Sequence, residues 1–188
     1  MSLVGKTKIL AIDPSTFTGL CQLNGDDAKT LVINHPDSRG YDRLQLIAIS
    51  VMNTIEAWGS EVVIIENYAM NAKFNIVQMV EIGTIIRASL YRAGIEWWDV
   101  PPTVLKKFTT GNGAAKKEAM AVAVKERWGF TSKSDDVIDA YALARLAQHL
   151  AQSEENLIKG VTPWTSPAIK SRSSKPLASK MPKRACAR

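Results

Sequence analysis

The sequence predicts an α/β fold on a mixed five-stranded sheet flanked by helices, with three antiparallel strands followed by parallel ones. Three observations carry that expectation. Three short strand-like runs stand first, separated by turn residues too few to hold a helix. From Leu44 onward the apolar residues change to helical spacing and then alternate as helix, strand, helix, strand. Strands joined by tight turns pair antiparallel, whereas strands linked through helices add in parallel.

Lys8–Asp13 (KILAID) is the first strand, with Ile9, Ala11 and Ile12 packing and Asp13 at its end. Pro14, Ser15 and Thr16 turn the chain. Thr18–Leu23 and Thr30–Ile33 follow as strands on either side of the turn-rich Asn24-Gly25-Asp26-Asp27. Leu44, Ile47, Ala48, Val51, Met52, Ile55 and Trp58 then share one face of a helix that Gly59 stops. Glu61–Ile65 (EVVII) reads as an apolar strand leading to Glu66. A long helix is expected from about Ala72 to Arg92, with Ile76, Val80 and Ile86 on one side and Phe74, Val77, Ile82 and Ile85 on another. A helix apolar nearly all round is buried on several faces, by the core or by a second copy of the chain. Ile95–Val100 is a further strand before Pro101-Pro102. A basic stretch runs from Lys106 through Gly111-Asn112-Gly113 to Lys116 and Lys117. Helix follows to about Arg127, and a last helix spans Asp135 to about Ala151. Beyond Ile158 the chain is rich in Pro, Ser, Lys and Arg, so the expected division is one domain over 1–156 and a flexible basic tail over 157–188.

A chain of 188 residues, 46% apolar, is globular and fills one ordinary domain. No apolar run approaches the ~20 residues of a membrane span, and no secretory h-region precedes the first strand. The expectation is a soluble, cytoplasmic protein that is not secreted. Cys21 and Cys186 lie far apart, and His35 and His149 have no ligand-type neighbours, which argues against a disulfide framework and zinc chemistry. Residues 157–188 hold eight lysines and arginines and no acid, so of the net +6 the first 156 residues carry −2. A polyanion must therefore meet a local basic patch or the tail.

The acids fall in a pattern. Asp13 and Glu66 each follow a buried strand, and parallel neighbouring strands would bring both carboxylates to one end of the sheet. Asp136 and Asp139 share a face of the last, otherwise apolar helix. Each has a bland reading: Asp13 as a turn former, Glu66 as a solvated strand end, Asp135 and Asp136 as first-turn acids behind the capping Ser134. Asp139 lies past that turn and has none. Four carboxylates at one sheet edge repel unless hard divalent cations neutralise them, and a pair of such ions can hold both the attacking water and the leaving oxygen of a phosphodiester.

AIDPSTFTG, VVIIENY and SDDVIDAYALA resemble, in order and spacing, the three acidic motifs of the RuvC family of Holliday-junction resolvases, a branch of the ribonuclease H-like superfamily. LKKFTTGNGAAKKEAM resembles that family's basic segment, and the likeness runs from about Lys8 to His149. It implies a ribonuclease H-like fold and a magnesium-dependent endonuclease (manganese substituting) that nicks four-way DNA junctions in pairs. Asp13, Glu66, Asp136 and Asp139 would hold two ions per site, with Asp13 bridging them. Asp135 sits beside Asp136 and could exchange roles with it. Lys117 would neutralise charge at the scissile phosphate, and Lys106, Lys107 and Lys116 would hold the backbone. The family's base-stacking aromatic is matched by Tyr68 or by Phe74. The resemblance also implies a homodimer through the helix at about 72–92. Gly111-Asn112-Gly113 lacks Walker spacing, so no nucleotide cofactor is expected. The rival readings are a nuclease of RNA–DNA hybrids or flaps and a nucleic-acid-binding protein without catalysis.

Overall fold

A computed structural model describes residues 8–68, 76–152 and 161–164 of the chain. Phe74, the first turn of the expected long helix and nearly all of the expected tail lie outside the described residues. The elements in chain order are β1 (Lys8–Asp13), β2 (Thr18–Asn24), β3 (Asp27–Ile33), α1 (Gly40–Trp58), β4 (Val62–Glu66), α2 (Ile76–Arg92), β5 (Trp97–Val100), α3 (Pro102–Thr110), α4 (Lys117–Trp128), α5 (Asp135–Gln152) and β6 (Thr162–Trp164).

The sheet runs β3-β2-β1-β4-β5-β6. β1, β2 and β3 pair antiparallel, and β4 and β5 add in parallel beside β1, giving the five strands the sequence predicts. β6 is an addition: Thr162–Trp164, which the sequence reading assigns to the tail, pairs antiparallel with β5. Three residues are too short a run for periodicity to register.

Alternation along the strands divides the core into two layers. Ile9, Ala11, Cys21, Leu23, Val62 and Ile64 face α3, α4 and α5, while Leu10, Ile12, Leu20, Val63 and Ile65 face α1 and α2. Helices therefore cover both sides of the sheet, and each fully buried Leu or Ile contributes roughly 1.5–3 kcal/mol by leaving water. α1 begins four residues before the first apolar position that predicts it, and Gly59 ends it in the left-handed conformation. On α2 the buried residues are Ile82, Gly83, Ile86 and Leu90, one strip at helical spacing. Ile82 and Ile86, which the sequence reading puts on different sides, thus share the face toward the sheet. Val77 stands 67% exposed, an apolar residue the core does not cover.

α5 is the central helix. Ala140, Ala144, Ala147 and Ala151 are all buried in it, and their small side chains let it pack closely on the sheet. α3 is a helix that the sequence pattern does not reveal. Only Leu105 and Thr109 are buried in its nine residues, so it carries too few apolar positions to show a period. Among the described residues no helix is long and apolar enough to cross a membrane.

Candidate metal centre and nucleic-acid face

The parallel register of β1 and β4 builds the centre. Ile12 stands opposite Ile65, so the next residue of each strand, Asp13 and Glu66, emerges at the same sheet end. α5 supplies the third carboxylate. Ligand oxygens of Asp13, Glu66 and Asp139 all lie within 4.8 Å of one another. Their approach depends on Gly19, which pairs with Asp13 across β1 and β2. A Cβ at Gly19 would stand 2.2 Å from the Asp136 carbonyl oxygen, so only glycine lets the first turn of α5 rest on β2.

Asp136 lines the same cavity, of about 280 Å³, and accepts a hydrogen bond from Ser15 Oγ at 2.9 Å. Asp135 points elsewhere, into an exposed ion pair with Lys117 at 3.4 Å. Of the two neighbouring acids, geometry puts Asp136 with the cluster. Lys106 and Lys117 line the cavity too, whereas Lys107 and Lys116 are exposed beyond it. Lys106 lies on α3 and Lys117 opens α4, so the loop between these helices brings one lysine from each side to the acids.

The charges in the cavity act on one another. Burial first, then the Glu66, Asp139 and Asp136 carboxylates, raises Asp13 well above the ordinary aspartate value. Burial and Asp139 push Glu66 to about 8, although the hydrogen bond with Asp13 and the charges of Lys106 and Lys117 act in the opposite sense. Burial likewise lifts Asp139 to about 6 against the pull of Lys117 and Lys106. For Lys117, burial favours the neutral amine, but Asp135, Asp136 and Asp139 outweigh it and hold the ammonium above its usual value. Without a cation the three central acids thus keep protons that ordinary carboxylates would have shed. An all-oxygen, crowded, partly buried donor set of this kind fits a hard divalent ion.

Tyr68, the nearer of the two aromatic candidates, also lines the cavity. Its hydroxyl lies 3.0 Å from Thr84 Oγ1, and the Arg87 guanidinium sits 4.8 Å from its ring centroid. Gly83 makes room for it, since a Cβ there would fall 2.7 Å from the ring. Two supporting residues escape sequence reasoning. Ser15 fixes Asp136. Arg87 donates to the Glu66 carbonyl at 3.2 Å and is itself held by Asp99 at 2.7 Å. Arg87 and Asp99 sit in a helix and a strand with no short-range signal linking them; only the fold brings them together. Cys21 is a fully buried core residue.

Comparison with known proteins adds a family. A profile of the family described as Crossover junction endodeoxyribonuclease RuvC matches residues 9–147. The proteins of that name from Synechococcus sp. (strain WH7803) and Synechococcus sp. (strain CC9902) are 28% and 25% identical over 146 residues, spanning 73% of this chain and 95% of each relative. Among solved structures, Thermus thermophilus RuvC superposes with a TM-score of 0.62 at 20% identity, covering 83% of this chain and 99% of that one. T. thermophilus RuvC in complex with a Holliday junction substrate gives 0.65 at 20% identity, covering 84% and 99%. The shared fold is ribonuclease H-like.

Proposed function

The chain belongs to the family of RuvC crossover junction endodeoxyribonucleases, and from that premise we propose that it resolves four-way DNA junctions by hydrolysing a phosphodiester at the Asp13–Glu66–Asp139 centre. The observation that carries the reading is the meeting of these three carboxylates within 4.8 Å, at the rim where Lys106 and Lys117 converge. It is a centre built to hold cations and polyanion together.

Asp13, Glu66 and Asp139 would hold two magnesium ions, with Asp136 completing the set and manganese able to substitute. Ions bound there lower the pKa of a water and stabilise a departing oxygen. The chain's own residues do the rest. Asp13, whose carboxyl meets both Glu66 and Asp139, would be the ligand held in common by the ions. Ser15 keeps the Asp136 carboxylate turned into the cavity. Arg87, clamped by Asp99, fixes the end of β4 and so the position of Glu66. Lys117 reaches the scissile phosphate and offsets the charge that develops on it. Lys106 sits at the same phosphate, and Lys107 and Lys116 meet the backbone on either side. Tyr68 is the aromatic beside the reacting strand. The catalytic domain takes in β6 as well as the expected 1–156, joined to a basic tail, and the chain acts as a homodimer through the helix expected at about 72–92, where Val77 of α2 stands uncovered. Two copies give two centres, one for each strand that must be cut.

The test is a panel of labelled substrates with magnesium: a synthetic four-way junction, the matching linear duplex and an RNA–DNA hybrid. Cutting confined to the junction is expected. Cutting of the hybrid in its place would move the activity to another branch of the superfamily, and binding without cutting would make the chain a nucleic-acid-binding protein.

A further inference from the structure

Lys106 reaches the metal cavity from α3, a helix with little of its own to hold it. α3 is nine residues long, too short to persist alone in water, and only Leu105 and Thr109 are buried in it. Its last turn leaves carbonyls without partners inside the helix. The Gly111 amide donates to the Lys107 carbonyl at 2.8 Å. The next two carbonyls, those of Phe108 and Thr109, both accept from one guanidinium nitrogen of Arg127, the second at 3.0 Å. Arg127 stands near the end of α4, ten residues and roughly 15 Å along that helix from Lys117.

The same guanidinium covers two rings. Its carbon lies 5.1 Å from the Phe108 ring centroid and 4.5 Å from that of Trp128, and the two rings stack with centroids 6.1 Å apart. α5 closes the cluster, with His149 5.7 Å from Phe108 and Tyr141 6.1 Å from Trp128. Arg127 forms no salt bridge among the described residues, so carbonyls and rings hold it in place of an acid. One side chain thus ties together the three helices that bring Lys106, Lys117 and Asp139 to the cavity.

We propose that Arg127 is a positioning residue for cleavage, which clasps the last turn of α3 to α4 and so holds Lys106 at the phosphate. The inference rests on the reading of the chain as a DNA-cutting enzyme and extends it to a residue that does not line the cavity. Lys106 stands two residues before Phe108, so a shift in the clasped turn reaches it directly. Lys117 is shielded by distance and by Met120 and Val124, which are buried between it and the clasp. Release of Arg127 therefore moves Lys106 and leaves Lys117 where it is. Arginine suits this post because its planar fork offers donors along the edge and a flat face to rings. A lysine ammonium is a point charge with neither.

The test is a double-mutant cycle on single-turnover cleavage of a four-way junction, with enzyme and magnesium saturating. Arg127→Met keeps apolar bulk, removes the donors, and should lower the rate about tenfold by displacing Lys106. In a Lys106→Ala protein the same substitution should cost less than about twofold, because the group it positions is gone. In a Lys117→Ala protein it should keep its about tenfold cost, since that lysine is not the one displaced. A rate unchanged by Arg127→Met, or a tenfold loss that persists in Lys106→Ala, would overturn the proposal; a general loss of stability would produce the second result. Arg127→Lys separates the clasp from a direct phosphate contact, because it keeps the charge. It should retain most of the loss, and full recovery would overturn the clasp. If Arg127→Met does not fold, Arg127→Lys carries the same cycle, with a loss that likewise vanishes in Lys106→Ala. Amide hydrogen exchange without DNA or magnesium adds a readout independent of cutting. Exchange in α3 should quicken in the Arg127 variant while α5 keeps its wild-type rates, and unchanged exchange in α3 would overturn the clasp. A wild type that leaves the junction uncut would sink the nuclease reading and with it any part of Arg127 in cleavage, while the exchange result would still decide whether Arg127 holds α3.

Discussion

Asp139→Asn should abolish cleavage and yet stabilise the metal-free protein. The carboxyl of Asp139 is raised from 3.8 to about 6, chiefly by burial. In the unfolded chain it ionises near 3.8, so the folded state retains a proton that the unfolded state releases. Stability therefore falls as pH rises from about 4 to 6, and the full penalty applies above 6. At 1.36 kcal/mol per pKa unit the penalty is ~3 kcal/mol. An amide of the same shape carries no charge and escapes it. For a protein of this size 1 kcal/mol moves the melting temperature by roughly 2–4 °C, so the variant should melt up to roughly 10 °C higher in EDTA at about pH 7.5. Lys106 and Lys117, left facing one acid fewer, reduce the gain but do not reverse its sign. At about pH 4 the two proteins should melt within a degree or two of each other. With magnesium the order should close or invert, because the wild type gains a ligand-bound state that the variant forms poorly. Thermal unfolding at two pH values, with EDTA and with magnesium, measures all four conditions. A variant that melts at or below the wild type in EDTA at about pH 7.5 would refute the reasoning, since Asp139 would then contribute stability instead of strain.

Because Glu66 and Asp139 titrate at about 8 and about 6, a bound cation must displace their protons, and the magnesium concentration for half-maximal cleavage should fall as pH rises from 6 to 8. Calorimetry in two buffers of different ionisation enthalpy should register proton release on metal binding, and equal heats would contradict it. Gly19→Ala places a methyl 2.2 Å from the Asp136 carbonyl, so α5 must shift; expect ~1–3 kcal/mol lower stability in denaturant unfolding together with loss of cleavage. Retained wild-type activity would mean that α5 tolerates displacement. Lys117→Ala should lower the single-turnover cleavage rate by roughly a hundredfold while leaving junction affinity within a few-fold. A loss confined to affinity would move Lys117 from the reacting phosphate to the backbone. Removing residues 165–188 while keeping β6 takes away seven basic residues, and the salt dependence of junction binding should flatten by roughly one unit for each phosphate those residues neutralise. An unchanged slope would leave the tail without a part in DNA binding.

The sequence and the fold agree where chemistry follows chain order. Asp13 and Glu66 are legible because each ends an apolar strand, and parallel pairing alone sets them side by side. Asp136 and Asp139 are legible because two acids three apart on an apolar helix have few structural uses. The choice between Asp135 and Asp136 is not, since both occupy the first turn of α5. It takes the Ser15 hydroxyl, brought in from the β1–β2 turn, to separate them. Other elements are lost for want of length or of a local partner. α3 and β6 are too short to show a period, and Arg87 meets Asp99 and the Glu66 carbonyl only because α2 packs beside β4 and β5. The role of Gly19 is equally hidden, because nothing near it in the chain announces a helix that lies more than a hundred residues downstream.

The most direct test of the central claim is the product formed from a supercoiled plasmid that extrudes a cruciform, in the presence of magnesium. A single nick relaxes the plasmid and reabsorbs the cruciform, so a linear product requires both strands to be cut within one encounter. A homodimer with two acid centres predicts linear plasmid from the wild type and intact supercoil from Asp139→Asn. Nicked circles as the only product would contradict paired cutting, and cleavage that persists undiminished in Asp139→Asn would contradict the assignment of the centre itself.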